Sequence, residues 1–268
     1  MRLLRTTVTR ALSRRVLTGP RKRFVFLYHD ISDQDAPQHS PLYSTSVQKF
    51  KSQVELIARH FKLVSLEDIV SNNSDNHQRL ASITFDDGFL SVKDEALRFL
   101  QSRGIPIAVF VNTMAIKENR LFYGAKEPSI NRAYHSKVFL DEADVRDLVA
   151  NGVVIGNHSA THKVLSECDD QTLSEEVLSS KQYIESVTKT DVLHFALPFG
   201  KREHYNKDVL DFCYSSGHEF VYSTNPTYFN PADRKRDERL IPRVALLDES
   251  PEELYFLINR PLLKKIDI

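Results

Sequence analysis

Short apolar runs rich in β-branched and aromatic residues alternate along this chain with longer stretches of helical period, which predicts an α/β fold. FVFLY (24–28) is a compact strand running into His29 and Asp30. Over residues 46–60, Val47, Phe50, Val54, Ile57 and Ala58 share one helical face, with Ser46 placed to cap the first turn. Residues 61–64 read as a short strand, 65–70 as a helical turn opening at Ser65, and 71–79 as a polar surface loop. ASITF (81–85) is the next strand. Residues 91–103 form a helix that turns Val92, Ala96, Phe99 and Leu100 inward and stops at Gly104.

IPIAVFV (105–111) is a further strand, whereas 112–140 show no period, and so long a loop inside a domain is usually functional. A helix over 141–151, ended by Gly152, leads into the strand VVI (153–155), which ends near His158. A long helix (169–188), the strand HFAL (194–197), a helix (206–215) and the strand EFVYST (219–224) follow. The charged run 232–239 reads as a solvated loop, 239–247 as a late strand interrupted by Pro242, and 250–260 as a closing helix. About seven β/α units with no repeat and no low-complexity linker fit a single barrel-like domain.

Length and charge narrow the classes. The 268 residues suffice for one large α/β domain. Lys+Arg and Asp+Glu both number 36, so the zero net charge argues against a basic nucleic-acid binder. Cys168 and Cys213 make no disulfide framework and read as buried, reduced thiols. Residues 1–23 carry Arg2, Arg5, Arg10, Arg14, Arg15, Arg21, Lys22 and Arg23 and no acid. These charges interrupt every apolar run, so neither an export signal nor a membrane span is expected there, and the expected location is cytoplasmic. Leu3, Leu4, Val8, Leu12 and Val16 could form an amphipathic basic helix resting on the inner membrane face. The other reading of 1–23 is a partly ordered leader outside the core.

Two segments carry candidate chemistry. SITFDDGF (82–89) ends a strand in adjacent carboxylates, and the C-terminal ends of strands hold the working groups of a β/α barrel. Asp-Asp-Gly is also good turn chemistry. GNHSATHKVLS (156–166) again follows a strand, and one helical turn would bring His158 and His162 to one side. Two imidazoles and a carboxylate suit zinc and similar divalent ions. Such a histidine pair can also be ordinary exposed polar side chains.

TFDDG (84–88) together with HSATH (158–162) resembles the polysaccharide deacetylase family, the NodB-homology carbohydrate esterases of family 4. FLYHDI (26–31) is similar to the YHxI opening of one subgroup, GIPIAVFV (104–111) to the strand after the first helix, and DVRDLVANGVVIGNHSATH to the family's helix–Gly–strand–histidine unit. FALPFG (195–200) resembles the FAYPYG form of the third motif, and RLIPRV (239–244) the late strand. The likeness spans about residues 24–250 of the chain.

The resemblance implies a single-domain α/β fold, a distorted (β/α)7 barrel of the NodB-homology type over 24–268. It implies Asp87, His158 and His162 as ligands of a divalent metal ion, zinc first, with cobalt or nickel as alternatives. Asp86 would be the general base toward an attacking water, and the backbone N–H of Phe199 a donor to the oxyanion. Asn157, Ser159 and Thr161 would orient the histidines.

The chain departs from the family at two places. Where the third motif commonly begins with an Arg that orients the catalytic Asp, this chain has Ala196-Leu197-Pro198, and Arg243 is the substitute candidate, or else an ordinary sheet-edge Arg. The C-terminal Leu-x-x-His, whose His is the general acid, is absent, since no His follows His218. His29 is the replacement candidate, or else a hydrogen-bonded structural His.

The expected activity is hydrolysis of the N-acetyl group of a GlcNAc-type sugar in a polysaccharide, glycolipid or glycoconjugate intermediate. The alternatives are a deformylase or other amidase on a lipid-linked amino sugar, or a non-catalytic carbohydrate-binding relative. Phe122, Tyr123, Tyr134 and Phe139 could line a sugar subsite or simply pack the loop.

Overall fold

The computed structural model describes residues 23–36, 38–71, 79–120, 137–230 and 239–263. The basic segment before Arg23, and with it the expected membrane-face helix, lies outside the described residues, as do Phe122, Tyr123 and Tyr134 and most of the charged run 232–239. Arg23 itself already belongs to the first strand rather than to a leader.

Eight strands build the wall in chain order: β1 (Arg23–Tyr28), β2 (Leu80–Phe85), β3 (Ile107–Val111), β4 (Val154–Asn157), β5 (His194–Ala196), β6 (Phe220–Ser223), β7 (Leu240–Pro242) and β8 (Val244–Ala245). They pair in the order β7-β6-β5-β4-β3-β2-β1-β8, every pair parallel. β7 and β8 are two halves of one segment. Ile241 pairs with Tyr222 of β6, whereas Val244 pairs with Phe26 of β1, so residues 240–245 draw the two ends of the sheet together. The result is a single α/β domain whose sheet is nearly closed into a barrel. The two-residue strand Lys62–Leu63 pairs with the start of β2, and Asp30–Ile31 with Ser44–Thr45.

Strand residues alternate sides, and both sides are dry. Val25, Ala108, Phe110, Ala196, Tyr222 and Ile241 fill the interior. Phe24, Phe26, Tyr28, Ile83, Phe85, Val109 and Ile155 face outward into the larger cluster with Phe50, Val54 and Ile57 of helix Val47–His60. The helix Leu66–Val70 plugs the N-terminal end of the barrel, where Arg23 donates to the carbonyl oxygens of Ile69 (2.5 Å) and Ser71 (2.6 Å).

Four details differ from the sequence pattern. Ala58 is exposed and Gln53 is buried instead, because the Gln53 amide donates to the carbonyls of Leu247 (2.7 Å) and Glu249 (3.0 Å) and accepts from Tyr28 Oη (3.0 Å). Ser46 precedes the first helix without a side-chain cap bond, its N–H and hydroxyl both turning to Asp248.

The aperiodic stretch after β3 contains a helix, Thr113–Glu118, too short to show a period and started by Asn112, whose side chain accepts from the N–H groups of Met114 and Ala115. The late strand breaks at Arg243 rather than at Pro242. The bond to β6 there comes from the Arg243 N–H to Ser223 O (3.0 Å), and by alternation the N–H that proline lacks would point the other way.

Gly156 shows how tightly the interior is filled. A Cβ on it would lie 2.4 Å from a ring carbon of Phe110, itself fully buried, and 3.2 Å from the His194 carbonyl. Gly156→Ala should therefore destabilise the fold by about 1–3 kcal/mol in urea titration, and an unchanged midpoint would mean that Phe110 can move aside.

Candidate functional site

The alternation of each strand, carried one or two residues past its end, decides what points into the open end of the barrel. His29 continues the inward positions Val25 and Leu27, and Asp86 continues Thr84. His158 continues Gly156, and Arg243 continues Ile241. Strands that all run the same way deliver these side chains to one end.

Asp86 and Arg243 meet there as a two-pronged ion pair, Nη1–Oδ1 and Nη2–Oδ2 each 2.7 Å. They are 2% and 0% exposed, so neither charge is shared with bulk water. Arg243 also reaches Thr84 Oγ1 at 3.5 Å and lies over the Phe110 ring, 5.2 Å from its centroid. Burial alone would push the Asp86 carboxyl up, but Arg243, with His158 and His29 behind it, holds it below the ordinary carboxylate range. Asp86 is thus kept ionised and has both oxygens fixed in direction.

Asp87 does not follow the alternation. Its φ of 69° and the 73° of Gly88 turn the chain through the left-handed region, which swings the second carboxylate toward the histidines. Asp87 Oδ1 lies 3.4 Å from His158 Nε2 and 3.6 Å from His162 Nε2. The three residues are buried, and one donor atom from each falls within 4.8 Å of the others.

This group fits a divalent ion. Ligand atoms about 2.0–2.1 Å from a tetrahedral zinc stand about 3.4 Å apart, close to the separations seen. The His158 ring is already oriented, since its Nδ1 donates to Ala196 O at 2.8 Å and Nε2 is the atom that faces Asp87. Burial pushes the His162 imidazole down to about 3, so it stays neutral and able to coordinate. Burial also favours the neutral form of Asp87, but its hydrogen bond with His158 outweighs that and holds the carboxyl well below the usual range.

The loop that presents both histidines is held from two directions. Ser159 and His162 have φ of 70° and 59°, strained values for residues with a Cβ, and bonds on every side maintain them. Asn157 Oδ1 accepts from the Ser159 N–H at 2.9 Å, and Ser159 Oγ accepts from the His162 N–H at 3.0 Å. The first N–H groups of helix Thr113–Glu118 donate to the carbonyls of Ser159 (3.3 Å) and Ala160 (3.0 Å). Asn157 is itself fixed, its amide donating to Val177 O (3.0 Å) and to His218 Nε2 (3.3 Å).

His29 and Phe199 complete the group. His29 is half-buried and electrostatically coupled to Asp87, Asp86, His158 and Arg243. Burial pushes its imidazole below the ordinary value, and its Nδ1 has no hydrogen-bond partner among the described residues. Phe199 sits on a turn at φ 59° with its ring 4.7 Å from that of His162. Gly200 is required beside it, since a Cβ there would stand 2.7 Å from the Thr224 nitrogen. Of the aromatics that could line a sugar subsite or pack the loop, the described Phe139 is buried and packs on Phe89, ring centroids 4.8 Å apart.

Sequence reasoning passed over Asp30. It is buried and accepts hydroxyls from Ser32, Ser44 (2.7 Å) and Ser91 (2.7 Å), tying the chain after His29 to the helix after Asp87. Its three partners are scattered along the sequence, so no spacing marks it.

Residues 73–221, more than half of the chain, match the family model described as polysaccharide deacetylase. A Bacillus subtilis (strain 168) protein named for the same family, YxkH, is 21% identical over 149 residues, 56% of this chain. The matched stretch spans less than half of that relative, 46% of its length.

Among solved structures, the fold is similar to the Streptococcus pyogenes deacetylase PplD in complex with acetate, with a TM-score of 0.69 at 17% identity, covering 92% of this chain and 99% of that one. It is also similar to a de-N-acetylase from Aggregatibacter actinomycetemcomitans, with a TM-score of 0.70 at 16% identity, covering 85% and 96%.

Removing Arg243 should leave a buried carboxylate without a counter-charge. Arg243→Met is expected to cost about 3–5 kcal/mol in urea unfolding. Adding Asp86→Asn to it should recover most of that loss, and a double variant no more stable than the single one would mean that the pair is not what the fold depends on.

Proposed function

The chain belongs to the polysaccharide deacetylase family, and from that premise we propose that it hydrolyses the N-acetyl group of a GlcNAc-type sugar, carried on a polysaccharide, glycolipid or glycoconjugate. The observation that supports this most is the pairing of functions at one end of the barrel: a carboxylate anchored by Arg243 beside a separate three-donor cluster. Asp87, His158 and His162 would hold a divalent ion, zinc by the chemistry of two imidazoles and one carboxylate. Such an ion supplies Lewis acidity, which acidifies a water and polarises an amide carbonyl.

The remaining steps belong to the chain's own groups. Asp86, ionised and 3.7 Å from His158 Nε2 through its Oδ2, takes the proton of the water whose oxygen adds to the acetyl carbon. The Phe199 N–H, on its left-handed turn, donates to the oxygen that gains negative charge. His29 then gives a proton to the amine nitrogen as the C–N bond breaks, so that acetate and a free amino sugar leave. Its lowered pKa leaves the resting imidazole neutral, so the proton it delivers is the one that Asp86 has drawn from the water. Once charged, His29 gives that proton up readily. The acetate carried by the Streptococcus pyogenes relative supports acetyl as the acyl group.

The test is acetate release from GlcNAc oligomers and from nucleotide- and lipid-linked GlcNAc, with Zn²⁺, Co²⁺ or Ni²⁺ added. Release should depend on metal and fall by about 10²–10⁴-fold in Asp86→Asn. His29→Ala should cut turnover while leaving the ion bound, and near-normal turnover would remove His29 from the mechanism. Metal bound with no acetate released from any substrate would turn the reading first to another acyl group such as formyl, then to carbohydrate binding without hydrolysis.

A further inference from the structure

The long helix downstream of the histidine loop is not α-helical throughout. Between Asp170–Ser174 and Ser180–Thr188 the turn widens to π geometry over Glu175–Ser179, a distortion that costs helical hydrogen bonding and recurs at functional sites. Here the widened turn faces the loop that carries His158 and His162, and its groups bond to that loop. The Glu176 carbonyl accepts from the Ala160 N–H at 3.1 Å, and the Val177 carbonyl accepts from the Asn157 amide at 3.0 Å. Ser180, at the start of the next segment, donates to Asn157 Oδ1 at 3.0 Å.

The side chain of Glu176 is the unusual member. It is 1% exposed, and its oxygens are spent on a single loop residue: one accepts the Thr161 N–H at 2.8 Å, the other the Thr161 hydroxyl. Lys163, at 3.6 Å and with its side chain nearly half exposed, is its cationic neighbour. A carboxylate held dry with only a loose, half-solvated counter-charge is expensive unless hydrogen bonds satisfy it, and both of these bonds come from the residue directly before His162.

We infer that Glu176, presented by the π turn, is a positioning residue that clamps the Asn157–His162 loop and sets the affinity of the metal centre. The reasoning is local. His162 sits at φ 59°, a conformation that relaxes unless neighbours over-determine it. Its own N–H is held by Ser159, so the remaining freedom of the turn lies at Thr161, where Glu176 grips main chain and side chain together. Without the grip, the folded chain should lose alignment of one ligand rather than lose its fold. The inference rests on the metal reading above.

The experiment titrates Zn²⁺ into metal-free protein against a chromophoric chelator, alongside the thermal melt of the metal-free form. Glu176→Ala should bind zinc about 10–100-fold more weakly. Glu176→Gln keeps an acceptor for the Thr161 N–H and should recover part of that loss. A carboxylate that merely braced the helix would lower the metal-free melt and leave zinc affinity alone, and that result overturns the clamp. Should Glu176→Ala fail to fold, Thr161→Val, which deletes the hydroxyl contact and keeps the main chain, must still weaken zinc binding several-fold, and wild-type affinity there overturns the inference. A wild-type chain that takes up no zinc overturns the metal reading and the clamp together, whereas tight wild-type binding unmoved by the variants overturns the clamp alone.

Discussion

Burying the Asp86 carboxylate costs several kcal/mol unless a cation meets both its oxygens, and Arg243 does so from the segment that closes the barrel. The same six residues, 240–245, pair with β6 on one side and β1 on the other. Closure of the sheet and neutralisation of Asp86 are therefore one event: the ion pair forms only when the last segment is in register between its neighbours. It also separates the roles of two adjacent carboxylates. Asp86 has its oxygens committed to Arg243 and stays ionised with a fixed direction, which leaves Asp87 to face the two imidazoles.

Around that pair the barrel supplies straightness, and the loops supply departures from it. His29, Asp86, His158 and Arg243 arrive by the two-residue alternation of strands that all run one way, and no unusual backbone is needed for them. Asp87 and His162 arrive by left-handed turns at φ 69° and 59°, against the preference of residues with a Cβ. Strain of that kind persists only where bonds from several elements hold it. Here the start of helix Thr113–Glu118, the Asn157 side chain and the π turn at Glu175–Ser179 all contribute. The donor set is assembled by strain at one end of a rigid wall, where its groups cannot drift apart without breaking many other contacts.

Much of this was legible in advance because it depends on local pattern. The strand and helix succession follows from periodicity, and the approximate positions of the strands survive in the structure with ends moved by a residue or two. Arg243 could be named as a partner for Asp86 only through the family resemblance, as a stand-in for the missing third-motif Arg, since 157 positions separate them and no spacing rule joins residues that far apart. Gln53 illustrates the converse: a polar residue on the wrong face of an amphipathic helix becomes interpretable once the carbonyls of Leu247 and Glu249 are seen to meet it. Helix Thr113–Glu118 is too short for a periodic signal, and its worth lies in what its first N–H groups touch.

The amino-acid sequence by itself determined the α/β class, the order of the strands along the chain and the chemical types of the donors, because these follow from alternation, helical period and side-chain identity. Tertiary structure alone decided how Arg243 meets both oxygens of Asp86, where the last strand breaks, and how Glu176 and Asp30 come to hold the loops around the site. Those outcomes depend on contacts between residues distant in sequence and on backbone turns that Asp87, Ser159 and His162 adopt against their own preference. Neither is encoded in the run of residues near any one position.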